Sequence, residues 1–180
     1  MLSKKTKKNN FGFTIIELMV SASIIAIISA LAVVNLRGSE QKSTLDNETE
    51  RLSSVMRQAH INSLIGLTVG GVRPLGGFGL HIGQCASNCS YLLFADDGNF
   101  IYDAGIDTIV DQINMLDENV SITLTQPTDP FDIVFSPPRG NIYINGNTLV
   151  NSATTTLGFV NTSYSKQIII NRFSGRIDIQ

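Results

Sequence analysis

The chain has 180 residues, 43% of them hydrophobic, which supplies one apolar helix and one small core and excludes an assembly of several large domains. Its formal net charge is −2, but four of the thirteen basic residues are lysines within the first eight positions. The remaining nine basic side chains face fifteen acidic ones, a balance that opposes nonspecific nucleic-acid binding, because such binding depends on neutralising phosphates.

The N-terminus combines a basic leader with a long apolar run. Four lysines precede Gly12, and the 24 residues from Phe13 to Leu36 contain one charge, at Glu17. A helix of this length spans about 36 Å, enough to cross a hydrocarbon core of about 30 Å. A carboxylate inside such a span costs roughly 2.5–3.5 kcal/mol, so its presence indicates a function. The lysines predict a cytoplasmic N-terminus and an outward-facing remainder.

This stretch resembles the class III leader of type IV prepilins and type II secretion pseudopilins. The resemblance implies that a prepilin peptidase cuts between Gly12 and Phe13 and that Phe13 is N-methylated. It also implies that Glu17, the fifth mature residue, meets the N-terminal ammonium of a neighbouring subunit during assembly. The implied partners are the other pilins or pseudopilins of the filament, the prepilin peptidase and the inner membrane, with the head in the periplasm.

Two simpler interpretations are an ordinary signal peptide and a plain membrane anchor. Ala30-Leu31-Ala32 matches a signal-peptidase site. However, Glu17 lies where a signal peptide is most apolar, and the apolar run is longer than a normal h-region. A plain anchor has no need of Gly12 followed by this glutamate. These features favour the prepilin interpretation.

An amphipathic helix is predicted to continue from the membrane segment. Apolar residues recur on one helical face, at Leu45, Leu52, Val55, Met56 and Ala59. Polar residues are expected on the opposite face, including Glu48, Glu50 and Arg57. The first proline is Pro74, so the helix can extend to about residue 65. The predicted division is a leader at 1–12, a helix at 13–65 with its transmembrane segment at 13–36, and a head at 66–180.

The region beyond a glycine-rich connection has the short period-two and β-branched patterns typical of strands. The nine predicted strands are 79–82, 91–95, 108–113, 121–125, 132–135, 141–144, 154–160, 167–171 and 176–179. Asp97-Gly98, Asn145-Gly146 and Ser174-Gly175 supply turns. The predicted fold class is α+β: a long N-terminal helix, half in the membrane and half amphipathic, packed on a C-terminal antiparallel β-sandwich-like head.

Two cysteines, Cys85 and Cys89, lie four residues apart. An outward topology places them in an oxidising compartment, where a disulfide is the expected state. Free thiols and a metal site remain alternatives. A metal site needs two further ligands, and the chain has only two histidines, His60 and His81.

One acidic segment has a composition that suits a metal ion: Asp96-Asp97-Gly98-Asn99, followed by Asp103, Asp107 and Asp111. Calcium takes about six to eight oxygen ligands, and only Asp97 and Asn99 keep the usual alternate spacing. We interpret the segment as an acidic hairpin turn, predict no metal site and no cofactor, and leave calcium binding open. The sequence has no nucleophile elbow and no paired catalytic motif. We therefore expect a structural subunit and no enzyme.

The charge is unevenly distributed along the head. From Pro74 to Pro138 the chain has nine acidic residues and no Lys or Arg. From Arg139 onwards it has four basic residues and one acidic residue, Asp178. Solvated loops explain such a pattern. Two functional explanations are docking of the acidic and basic faces against neighbouring subunits and binding of a polyanion by the basic end.

The C-terminal segment from Gln167 to Ile177 resembles the closing hairpin of the GspH/FimT branch of pseudopilins. The resemblance implies a minor pseudopilin or minor pilin that supports filament assembly and protein secretion. The alternative is a FimT-like minor pilin that binds DNA for natural transformation through Lys166, Arg172 and Arg176. Some FimT-like members use a Gly-Arg-x-Arg motif. Here Asp178 replaces its last arginine, and a carboxylate repels phosphate.

Overall fold

The computed structural model describes residues 13–126, 130–160 and 162–180, so the predicted leader with Gly12 lies outside the described residues. Within these described ranges, helix α1 is followed by nine strands. Their bounds are α1 Ile15–Ile65, β1 Gly77–Ile82, β2 Ser90–Asp96, β3 Thr108–Asn114, β4 Val120–Gln126, β5 Phe131–Ser136, β6 Asn141–Ile144, β7 Ser152–Phe159, β8 Ser165–Asn171 and β9 Ile177–Ile179. The predicted α+β fold class is confirmed.

The chain divides into two compact units, Met1–Glu40 and Gln41–Gln180. In the first unit, the side chains of residues 13–32 are exposed, with Ile15 at 84% and Ile25 at 64%. The window Ile15–Ala32 has a mean hydropathy of 2.3, and none of it is buried within the protein. This helix is therefore long enough and apolar enough to cross a membrane.

The second unit contains two antiparallel sheets. One sheet has the strand order β3-β2-β1-β5-β6, and the other has the order β4-β7-β8-β9. β7 alternates between half-buried and buried residues along its whole length, which is the pattern of a strand with one face on a core. The inward-facing side chains of both sheets belong to one hydrophobic cluster, as expected for a sandwich-like head.

The C-terminal half of α1 contributes its apolar stripe to this cluster. Leu52, Met56 and Ala59 have no exposed surface, and Leu45 is 3% exposed. Ser63 fixes the end of the helix to β1, because its Oγ accepts a hydrogen bond of 2.8 Å from the Phe78 N–H. The stripe predicted from the sequence therefore faces the sheets.

The expectation for Glu48 was wrong. Instead of lying on the solvated face, Glu48 is 1% exposed. Its Oε1 accepts a hydrogen bond of 2.7 Å from the Leu116 N–H in the connection between β3 and β4. The neighbouring Arg51 donates from Nη1 to the Asn114 carbonyl at 2.9 Å. A buried carboxylate needs such a donor, and this one ties the helix to the end of β3.

The outer face of the five-stranded sheet is covered at its centre, which explains why every residue of β5 is buried. The connection between β2 and β3 folds over this face. Its Tyr102 ring lies 4.6 Å from the His81 ring and 5.2 Å from the Phe94 ring, and Phe100 stacks on Tyr143 at 3.8 Å. These aromatic contacts remove from water a face that would otherwise be exposed.

Candidate functional site

The first turn of α1 is built around Thr14 and Glu17. Thr14 precedes the helix, and its Oγ1 accepts a hydrogen bond of 3.3 Å from the Glu17 N–H, while its carbonyl accepts one of 3.2 Å from Leu18. Thr14 is therefore the N-cap residue, with Glu17 at the third helical position of a capping-box pattern. The sequence analysis missed this local role, although Thr-x-x-Glu ahead of an apolar run is its recognised signal.

Capping does not account for a carboxylate at this position in a membrane span. A negative side chain in the first turn is favoured by the helix dipole by about 0.3–1 kcal/mol. Placing that charge in the hydrocarbon core costs roughly 2.5–3.5 kcal/mol. For a segment that spans a membrane, this cost exceeds the local benefit of capping. Phe13 immediately precedes the cap, so its backbone nitrogen lies outside the helix, which begins at Ile15.

The two cysteines form the expected disulfide. Cys85 and Cys89 are bonded, with their Cα atoms 5.7 Å apart. Backbone hydrogen bonds link Cys85 to Ile122 in both directions, at 3.0 and 2.9 Å. The loop that carries the disulfide thus joins the end of β1 to β4 of the other sheet.

The structure does not gather the three candidate DNA-binding residues into a free basic cluster. Lys166 Nζ lies 2.7 Å from Asp46 Oδ1, and Arg176 Nε donates to Asp178 Oδ1 at 2.5 Å. The Arg172 guanidinium lies over the Phe173 ring, 4.6 Å from its centroid. Two of the three cations therefore already face a carboxylate, which weakens their attraction for phosphate.

The acidic segment forms a self-capped loop. Asp96, Asp97 and Asp107 place carboxylate oxygens within 4.8 Å of one another. Asp96 accepts hydrogen bonds from the Gly98 and Phe100 N–H groups, and Asp107 accepts them from Asp97 and Asp103. These oxygens therefore already satisfy the backbone of the turn, as the interpretation of an acidic hairpin requires. We propose no calcium site here.

Burial raises the pKa values of two carboxyl groups in this loop. Asp96 is 1% exposed, and desolvation raises its pKa to about 6, against the lowering effect of the Phe100 and Gly98 N–H groups. Desolvation also raises the pKa of Asp107. In the folded protein these carboxyls therefore hold protons at a pH where the unfolded chain has released them.

This shift predicts the direction of a pH effect on stability. The stabilisation from protonated Asp96 is complete below the unfolded pKa of about 4 and is lost as the pH rises through about 6, a change of about 3 kcal/mol in the free energy of unfolding. An NMR titration of the Asp96 carboxyl carbon is expected to give a midpoint near 6, with Asp96→Asn used to assign the signal. A midpoint near 4 would contradict the buried environment.

The structure also pairs His81 with Asp132, which sequence reasoning missed. His81 Nδ1 lies 2.7 Å from Asp132 Oδ1, while Asp132 Oδ2 accepts a hydrogen bond of 3.1 Å from the Tyr102 N–H. The two residues are opposite each other on β1 and β5 but 51 positions apart in sequence. The pair holds the connection between β2 and β3 against the sheet.

Comparison with known proteins adds one match. Residues 7–33 match the family model described as a prokaryotic N-terminal methylation motif. No curated protein and no solved structure matches the chain. The matched residues include Thr14 and Glu17, and the motif indicates a type IV pilin-like protein that is processed by prepilin peptidase and assembles with other pilins.

Proposed function

We propose that this chain is a minor pseudopilin or minor pilin, a structural subunit of a type II secretion pseudopilus or a type IV pilus. Prepilin peptidase removes the leader 1–12 by cutting between Gly12 and Phe13, and Phe13 is N-methylated. The mature subunit is held in the inner membrane by the apolar part of the helix, with the head at 66–180 in the periplasm. Incorporation into the filament then supports protein secretion.

The observation that carries this proposal is the position of Glu17. It is the one charged side chain of an apolar segment, and capping by Thr14 offsets only part of its cost in lipid. The ammonium of a methylated Phe13 on a neighbouring subunit supplies the missing positive charge. Pairing the two groups in lipid neutralises both, which makes subunit addition favourable and sets its register.

Two features of the chain support a minor subunit with a periplasmic head. Main pilins and some pseudopilins carry a helix-kinking proline in the membrane half, whereas the first proline here is Pro74. The Cys85–Cys89 disulfide suits an oxidising compartment. DNA binding is not proposed, because Lys166 and Arg176 are paired with carboxylates.

Incorporation into a filament tests this function. The tagged full-length chain is expressed in a host with a pilus or type II secretion machine, and filaments are sheared from the cells. We expect the processed chain in the filament fraction only when the assembly machinery is intact. Retention of all processed protein in the membrane, beside normal filaments of the host subunits, would overturn the proposal.

A further inference from the structure

The C-terminal end of α1 has a concentration of exposed apolar side chains. Ile65, the last residue of the helix, is 67% exposed, and Leu75 in the following connection is 82% exposed. The full set, which we call the helix-end surface, is Ile61, Leu64, Ile65, Val72, Leu75 and Ile106. Soluble proteins rarely expose so many large apolar residues at one place unless that place binds a partner.

Contacts around the last turn of α1 hold this surface together. One groove, with a volume of ≈ 220 Å³, is lined by Val72, Leu75 and Ile106. Arg73 lines the same groove, and its guanidinium lies against Gly66, the residue that follows the helix. A Cβ on Gly66 would lie 2.6 Å from Arg73 Cζ. The groove therefore adjoins the end of the helix.

Charged groups of both signs border the helix-end surface. Asp97 lines the groove beside β2 and β3 and is exposed. Arg139 is exposed in the turn between β5 and β6, towards the other edge of the same sheet. The next residue, Gly140, lies against the helix, because a Cβ there would be 3.1 Å from Leu64 Cδ2. Among the ion pairs of the described residues, none includes Asp97 or Arg139. Both charges are therefore available to a partner.

This mixed border favours a protein as the partner. An anionic lipid surface and a nucleic acid both need a basic surface, and the acidic segment around Asp97 repels them. A protein face can place a cation opposite Asp97 and a carboxylate opposite Arg139, and charge complementarity of this kind selects one partner over others. The apolar residues between the two charges supply the centre of such an interface.

A second copy of this chain does not suit the surface. α1 begins with the membrane window Ile15–Ala32 and ends at the helix-end surface. Two copies held in one membrane therefore present this surface in the same direction and cannot join it face to face. Contact with a different part of a second copy would repeat from copy to copy along a filament. Such repetition suits a main subunit and not the minor subunit proposed above.

We propose that the helix-end surface docks the head of a different pilin-like subunit, the one that enters the filament before this chain. This contact rests on the proposed function. Subunits stored in the membrane join a filament at its membrane end, so the subunit that joined earlier lies farther from the membrane. The docked head covers Ile65 and Leu75 with apolar side chains and pairs its own charges with Asp97 and Arg139.

Photocross-linking in assembled filaments tests the contact. The photoreactive residue p-benzoylphenylalanine replaces Leu75 in the tagged full-length chain, which is produced in the native host in place of the untagged chain. The same replacement at Ile65 is a second probe of the surface. Leu116 is the matched control, since it is a leucine with 77% exposure whose N–H binds Glu48, far from the end of α1. Because all three side chains are exposed, the replacements are not expected to disturb the core.

We expect at least about tenfold more cross-linked product from positions 75 and 65 than from position 116. Mass spectrometry should identify the partner as a pilin-like chain that differs from this one. Adding Arg139→Glu is expected to lower the yield at position 75, because it places a carboxylate against the partner's carboxylate.

Three results would overturn this contact while leaving the proposed function standing, provided that the labelled chains are present in the filaments. They are cross-links mainly to a second copy of this chain, cross-links to a protein that is not pilin-like, and yields at positions 75 and 65 no higher than at position 116. Absence of the tagged chain without any label from the filaments would overturn the contact and the proposed function together.

Discussion

Replacing Glu17 with valine is expected to abolish incorporation into filaments while leaving cleavage, membrane insertion and the folded head unchanged. Without the carboxylate, the N-terminal ammonium of the neighbouring subunit enters lipid unpaired, at a cost of roughly 2.5–3.5 kcal/mol. Each 1.4 kcal/mol is about a tenfold change in an equilibrium constant, so the filament fraction should fall about 100-fold. The measurement is the ratio of the chain in sheared filaments to the chain in membranes.

Glu40→Val is the matched control, because Glu40 is an exposed carboxylate on the same helix beyond the apolar run. It should change incorporation by less than about twofold, as expected for a solvated surface charge. Normal incorporation of the Glu17 variant would show that the carboxylate acts only as a helix cap. The proposal that Glu17 pairs with a neighbour would then be wrong.

Gly77→Ala is expected to destabilise the head by about 2–5 kcal/mol, because the substitution combines two penalties. Gly77 has a φ of 101°, which side chains rarely adopt. A Cβ there would also lie 2.1 Å from the Phe135 carbonyl oxygen and 3.0 Å from Ser63 Oγ, the atom that accepts the Phe78 N–H. The measurement is denaturant unfolding of the full-length chain in detergent.

Gly105→Ala separates these two penalties. Gly105 has a similar φ of 89°, but a Cβ there would meet nothing within 4 Å. Its substitution is expected to cost about 1–2 kcal/mol, the backbone term alone. If the two variants unfold at the same denaturant concentration, the close approach between β1 and β5 does not contribute to stability as described.

Strand positions could be predicted from the sequence because each depends on a local pattern. The segment 141–144 coincides with β6, and the Asn145-Gly146 turn after it has the positive φ angles, 49° and 65°, that this dipeptide adopts readily. The core stripe of α1 was predictable for the same reason. The spacing of apolar residues, every second residue in a strand and about every 3.6 residues in a helix, indicates which face of the element is buried.

Glu48 shows how side-chain polarity can mislead this reasoning. It lies three positions after Leu45 and four before Leu52, so helical spacing places it on the buried stripe. Because glutamate is charged, we expected it on the opposite, solvent-exposed face of the helix. The donor that makes burial tolerable is the Leu116 N–H, 68 positions away, and no local pattern reveals it.

The pairing of His81 with Asp132 depends on sheet order in the same way. β1 and β5 are neighbours, although three strands intervene in the sequence. Nothing in either strand's own pattern specifies that neighbour. The Thr14 cap is the opposite case, since Thr14 and Glu17 lie within one turn of one helix. The Thr-x-x-Glu pattern was present in the sequence, although the sequence analysis did not use it.

The most direct test of the central claim is the intact mass of the membrane-extracted chain, produced in a host with and without a prepilin peptidase. The account predicts a mass that begins at a methylated Phe13, found only when the peptidase is present. Cleavage after Ala32, or an uncut chain in both hosts, would contradict the account and leave an ordinary secreted or anchored β-rich domain.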